Sequence, residues 1–196
     1  MKKYITKYLL VAALSAFSIA TMTGCSSTEV APAEPIVNAE CLVEGVEAPN
    51  WVCGVGLKSE GVYRDVGIAP ISAGGIGFTR KMALADARGN LAQKIKTDVK
   101  DKVEKYISST GIARSESIDK VATNVSKQVA HVTMSGSGQI GYFQTEHNIY
   151  LLVEMNKSDV IDNVKKAVAS SFKDDDKLYQ QFKSDNALKS LEKEFE

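Results

Sequence analysis

The sequence is poor in the side chains on which most hydrolytic and metal chemistry depends. Its 196 residues include two histidines, three cysteines and one tryptophan. No HExxH or CxxC spacing occurs, which removes the common zinc signatures, and no serine sits in a nucleophile-elbow pattern. His131 and His147 are too few for a histidine-rich metal site, and each is expected at a strand end rather than as a ligand. Neither sign of charge dominates, with 24 basic and 24 acidic residues, so the footprint of a nucleic-acid binder or of a polybasic membrane patch is missing. No apolar run approaches the roughly twenty residues that span a bilayer as a helix. Carboxylates are plentiful on one long helical stretch, but there they alternate with lysines as a solvated face does. No catalytic residue, metal or cofactor is expected, and the chain does not read as an enzyme.

What is present begins at the N-terminus. Lys2, Lys3 and Lys7 precede the run "YLLVAALSAFSIA", and small residues follow at Thr23 and Gly24. This is the three-part layout of a secretory signal peptide, expected over residues 1–24. The next residue is a cysteine, and "MTGC" resembles the bacterial lipobox, with Met22 where leucine is usual. The resemblance implies cleavage before Cys25 and acylation of that cysteine, a covalent lipid being the only added group expected. The alternative is an ordinary signal peptide with a structural cysteine nearby. Each buried methylene contributes about 0.8 kcal/mol, so several acyl chains make a permanent anchor where one holds only marginally. By resemblance to the sorting pattern of such proteins, Ser26 rather than aspartate favours the outer membrane, with the domain facing the periplasm.

Residues 25–40, including "SSTEVAPAEPIVNAE", hold Pro32 and Pro35 and show no periodicity. They read as a flexible tether that, extended, reaches roughly 50 Å. Losing three lysines with the signal peptide leaves a slightly acidic chain of ordinary globular composition. With Cys25 assigned to lipid, Cys41 and Cys53 remain in an oxidising compartment. A bridge between them would be worth about 3 kcal/mol in the chain-entropy account; a buried free thiol at one or both positions is the alternative.

The domain itself is expected over residues 41–172, with a charged helical tail over 173–196. "NWVCGVGL" is β-prone, "GVYRDVGIA" is a second, weaker strand, and "APISAGGIGF" is a loop by its glycine and proline content. From Thr79 to about Ser108, Leu84, Ala87, Leu91, Ile95, Val99, Val103 and Ile107 recur at helical steps, predicting a helix about 45 Å long. "STG" at 109–111 stops it, and a second helix follows from Ser115 or Ser117 with Ile118, Val121, Val125 and Val129 inward. "GQIGYFQTE" and "NIYLLVEM", with His147 and Asn148 at their junction, predict a hairpin. A third helix carries Val160, Ile161, Val164 and Val168. The order predicts an α+β domain, a small antiparallel sheet covered on one face by long amphipathic helices.

Two glycine-rich stretches deserve a chemical test. "GSGQIG", Gly136 to Gly141, matches the dinucleotide fingerprint but has a helix before it and a strand after, the reverse of what that motif requires; a bulged start to the strand is expected instead. "SAGGIG", Ser72 to Gly77, lacks the P-loop lysine and reads as a connector. Gly89 and Asn90 stand inside the long helix, where glycine costs about 1 kcal/mol relative to alanine. With Ala83, Ala85, Ala87 and Ala92 they form a small-residue surface suited to close approach of another backbone, within the domain or between subunits.

"ALADARGNLAQKI", Ala83 to Ile95, fits an AxAxARxxLAxxI pattern, preceded by "APNWVCGVG" and followed by "NIYLLVEM". With the lipobox, these residues resemble the LPP-twenty lipoprotein family, which includes FlgP-type proteins associated with the flagellum, over about residues 48–156. The resemblance implies that Ala83, Ala87, Arg88, Leu91 and Ala92 form the signature helix face. It also implies a structural role as repeated subunits beneath the outer membrane. The expectation is an anchored, assembly-forming homo-oligomer with flagellar basal-body proteins as partners. The competing expectation is a periplasmic module binding a small ligand or another envelope protein, on the strength of the glycine-rich loop and of Tyr142, Phe143 and Tyr150. Leu188, Leu191 and Phe195 share a tail face expected to dock on a neighbour or on the chain's own sheet.

Overall fold

A computed structural model describes residues 41–110, 115–171 and 185–195. The signal segment, the tether with Cys25, and residues 173–184 of the tail lie outside them. The fold is α+β, with two small antiparallel sheets and long helices.

A two-stranded hairpin opens the domain, β1 (Leu42–Val43) and β2 (Val46–Glu47), turning through Glu44 and Gly45, both at positive φ. "NWVC" then forms a short 3-10 helix, Asn50–Cys53, instead of the expected strand. Its glycine neighbour explains the difference: Gly54 takes the left-handed conformation at φ 82° and closes the turn on the carbonyls of Asn50 and Trp51. The main sheet has the order β3-β4-β6-β5, built from β3 (Lys58–Ser59), β4 (Val62–Pro70), β5 (Gly138–Gln144) and β6 (Asn148–Asn156). The stretch expected to be the weaker strand is the full-length β4, paired with all of β6 from Val62↔Asn156 to Pro70↔Asn148.

Helix α1 (Gly75–Thr110) crosses one face of this sheet, and α2 (Ser115–Gly136) returns against it. Helix α1 starts four residues earlier than its apolar period suggests, so of the supposed loop Ala69–Phe78 the first two residues end β4, the last four begin α1, and only residues 71–74 connect them. Thr79 is the reason: buried, it accepts from the Ser72 amide and donates to the Gly75 carbonyl, closing the first turn despite three glycines. Helix α2 runs past His131, which therefore lies on a helix rather than at a strand end. Helices α3 (Lys157–Ser171) and α4 (Asp185–Lys193) complete the layer.

The main core joins these helices to the sheet through Leu91, Ile95, Val99, Val103, Val125, Val129, Val153, Val160 and Val164, all 0–1% exposed. Leu191 and Phe195 belong to the same core. The tail thus docks on the chain's own helices, not on its sheet: Lys105 pairs with Glu194 at 2.6 Å, Lys102 sits 4.9 Å over the Phe195 ring, and Lys165 pairs with Glu192. β6 is buried on both sides, because Trp51 of the N-terminal segment covers Leu152 and Gly141 opposite the helices.

Candidate functional site

The signature face of α1 is committed to the inside of the chain. Ala83, Ala87 and Leu91, four apart, are all fully buried, and Ala92 is 6% exposed. They are small because β4 comes unusually close. A Cβ added at Gly67 would stand 2.1 Å from the Ala87 nitrogen and 2.3 Å from the Ala83 oxygen, so only glycine admits the helix there. The close backbone approach expected at Gly89 occurs at Gly67; at Gly89 an added Cβ would meet nothing within 4 Å. Arg88, half-buried, donates from Nη2 to the Ser137 carbonyl at 3.2 Å and ties α1 to the junction of α2 and β5.

The sequence did not announce a second use of α1. Beyond β3's short pairing, the outer edge of β4 is sealed by a stripe four residues apart. Asp86 accepts from the Ile68 amide at 2.9 Å, Asn90 donates to the Val66 carbonyl at 3.0 Å, and Lys94 donates to the Arg64 carbonyl at 2.9 Å. A strand edge offers alternate amides and carbonyls, and this stripe answers three of them, which protects the edge from pairing with another chain. A polar i, i+4, i+8 series flanking the buried alanines was the available signal.

Cys41 and Cys53 are joined, with sulfurs 2.10 Å apart. The loop that they close carries Glu44, whose carboxylate accepts from Asn148 at 2.7 Å and meets His147 Nδ1 at 3.0 Å. Those bonds, Asn148 first, hold the Glu44 carboxyl down at about 2, while the carboxylate beside it raises His147 above its ordinary value. This clasp joins the hairpin at the start of the domain to the β5–β6 turn. Phe143 and Tyr150 pack across the strands with ring centroids 6.0 Å apart, while Tyr142 stays exposed under Arg80. The glycines of "GSGQIG" lead into β5, which carries an irregularity between Gln139 and Gly141.

Among the described residues, two grooves stand out on the surface. One, of about 300 Å³, lies between the end of β4 and the start of α1 and is lined by Ile68, Pro70, Phe78, Met82 and Asp86. Ile68, Ile76, Phe78 and Met82 are each 49–53% exposed. The other, of about 280 Å³, runs between α1 and α2. Among the described residues no group of three or more His, Cys, Asp or Glu side chains is placed to hold a metal ion, and no helix is long and apolar enough to cross a membrane.

Comparison with known proteins adds no relative. No protein-family model matches this chain, and no curated protein matches it. The candidate sites rest on geometry and on sequence pattern.

Proposed function

We propose that this chain is an outer-membrane lipoprotein, anchored through Cys25 and facing the periplasm, whose domain is a non-enzymatic structural subunit. It assembles with copies of itself, and flagellar basal-body proteins are its proposed partners. The lipobox-like "MTGC" and the proline-containing tether support the anchoring. The observation that carries the assembly role is the cluster of Ile68, Phe78 and Met82 around the groove at the start of α1, with Ile76 exposed in the first turn of the helix. Monomeric soluble domains rarely expose contiguous apolar patches larger than a few hundred Å², and clustered apolar side chains at a groove are a common mark of interaction surfaces.

The test is the mass of the purified protein by light scattering, with and without Phe78→Lys and Met82→Lys together. An assembly that falls to monomers in the double variant supports the reading; a wild-type chain that is strictly monomeric contradicts it. Swimming-zone diameter in soft agar, compared between a clean deletion and Cys25→Ser, separates a flagellar part from a general envelope subunit. Loss of swimming in both strains places the chain in the motor apparatus, and normal swimming in both removes it from there. A second reading, a periplasmic binding module, is favoured by the groove between α1 and α2.

A further inference from the structure

The α1–α2 groove is lined by Gly89, Ala92, Gln93 and Lys96 from α1 and by Lys127, Ala130, His131 and Met134 from α2. The two helices run antiparallel, fixed by Arg88 on the Ser137 carbonyl at one level and by Lys100 paired with Asp119 at 2.9 Å at another. That register sets Lys96 against Lys127 at one end of the groove and Gly89 against Met134 at the other.

The cationic end is uncompensated. Lys94, Lys100, Lys102 and Lys105 of α1 all have carboxylate partners, whereas Lys96 and Lys127 have none among the described ion pairs. No acidic residue lies three or four positions from either lysine along its helix. Away from the lysines the lining holds Ala92, Ala130 and Met134, the last 45% exposed, together with the polar Gln93 and His131. Gly89 lines this end and, like Gly77 nearer the start of α1, is a helix glycine against which the chain packs nothing. Gly89 weakens the helix by about 1 kcal/mol relative to alanine, yet a Cβ added there would meet nothing within 4 Å.

We propose that this groove binds a free single-chain amphiphile with a carboxylate head. Lys96 and Lys127 take the head, and the acyl chain lies over Gly89, Ala92 and Ala130 towards Met134. Two lysines at one end and Ala92, Ala130 and Met134 towards the other favour a ligand with a head and a tail. A docked helix would instead carry charge along the flanks of its apolar stripe. A symmetric contact between two copies through this face is disfavoured, because it would set lysine against lysine. The site is independent of the lipid anchor and of the assembly patch.

The experiment is a titration of the full chain carrying Cys25→Ser, which removes the proposed covalent acyl group, with dodecanoate below its micellar concentration. Backbone amide shifts are followed, with dodecyltrimethylammonium and acetate as controls. The expected result is saturable binding that moves residues 89–96 and 127–134. Affinity should fall about tenfold in Lys96→Glu with Lys127→Glu, as loss of two partly exposed charge contacts implies, and comparably in Gly89→Leu, which fills the floor without touching a charge. Circular dichroism confirms that both variants fold. Equal binding of the cationic amphiphile, shifts centred on Phe78 and Met82, an unchanged affinity in both variants, or association only with phosphatidylglycerol vesicles would each overturn the proposal.

Discussion

Two glycines, Gly67 in β4 and Gly89 in α1, behave oppositely. Gly67 sits against the backbone of α1, so Gly67→Ala forces β4 and α1 apart; a loss on the order of 3 kcal/mol is expected, read as a lower urea midpoint. Gly89→Ala meets open space and should stabilise the domain by about 1 kcal/mol in the same assay. The helical period made Ala83, Ala87 and Leu91 legible as an inward face. What the sequence did not distinguish was which glycine faced a backbone, because that depends on where a strand some twenty residues away is laid. The Glu44 clasp was also out of reach, since it joins residues a hundred positions apart. His147 has a raised folded value, so its contribution is complete below its ordinary 6.5 and disappears as pH rises through the raised value. Glu44 has a depressed value, so its contribution is complete above 4.5 and is lost as pH falls towards about 2. The clasp is therefore tightest between about 4.5 and 6.5. The imidazole titration of His147, followed by NMR, should have a midpoint above the ordinary value and return towards it in Glu44→Gln.

At the scale of elements, long apolar periods gave α1, α2 and α3 and the β5–β6 pair with small errors at their ends. The failures fell where side-chain and glycine chemistry override propensity. "NWVCGVGL" has the β-prone residues of a strand, but the left-handed Gly54 turns it into a 3-10 helix, and buried Thr79 begins α1 inside a glycine-rich run. The tail is a third case. Its face was readable, but the docking partner was not, because helix α1 offers both Lys102 and Lys105 beside an apolar seat. Leu191 is fully buried there, and Leu191→Ala should cost about 2–4 kcal/mol in urea unfolding. Loss of protection in α4 by hydrogen exchange, with the sheet unchanged, would show that the tail opens as its own unit.

For the whole molecule, the two sides of the sheet have separate duties. Helices build the core on one side, and the segment stapled by Cys41–Cys53 covers β6 on the other, directly after the residues that follow Cys25. Reducing that bridge should lower stability by about 3 kcal/mol in the chain-entropy account, measured as the shift in urea midpoint with Cys41→Ser and Cys53→Ser together as the control. The edge of β4 is sealed by Asp86, Asn90 and Lys94, so the proposed assembly does not grow by strand addition there. The exposed Phe78 and Met82 are left to carry it. All of this presumes a domain held in place. Mass spectrometry of the chain extracted from outer membranes tests that claim most directly. The account predicts a first residue at Cys25 bearing acyl chains, with the modification gone in Cys25→Ser; an unmodified Cys25, or a mature chain that begins elsewhere, would contradict it.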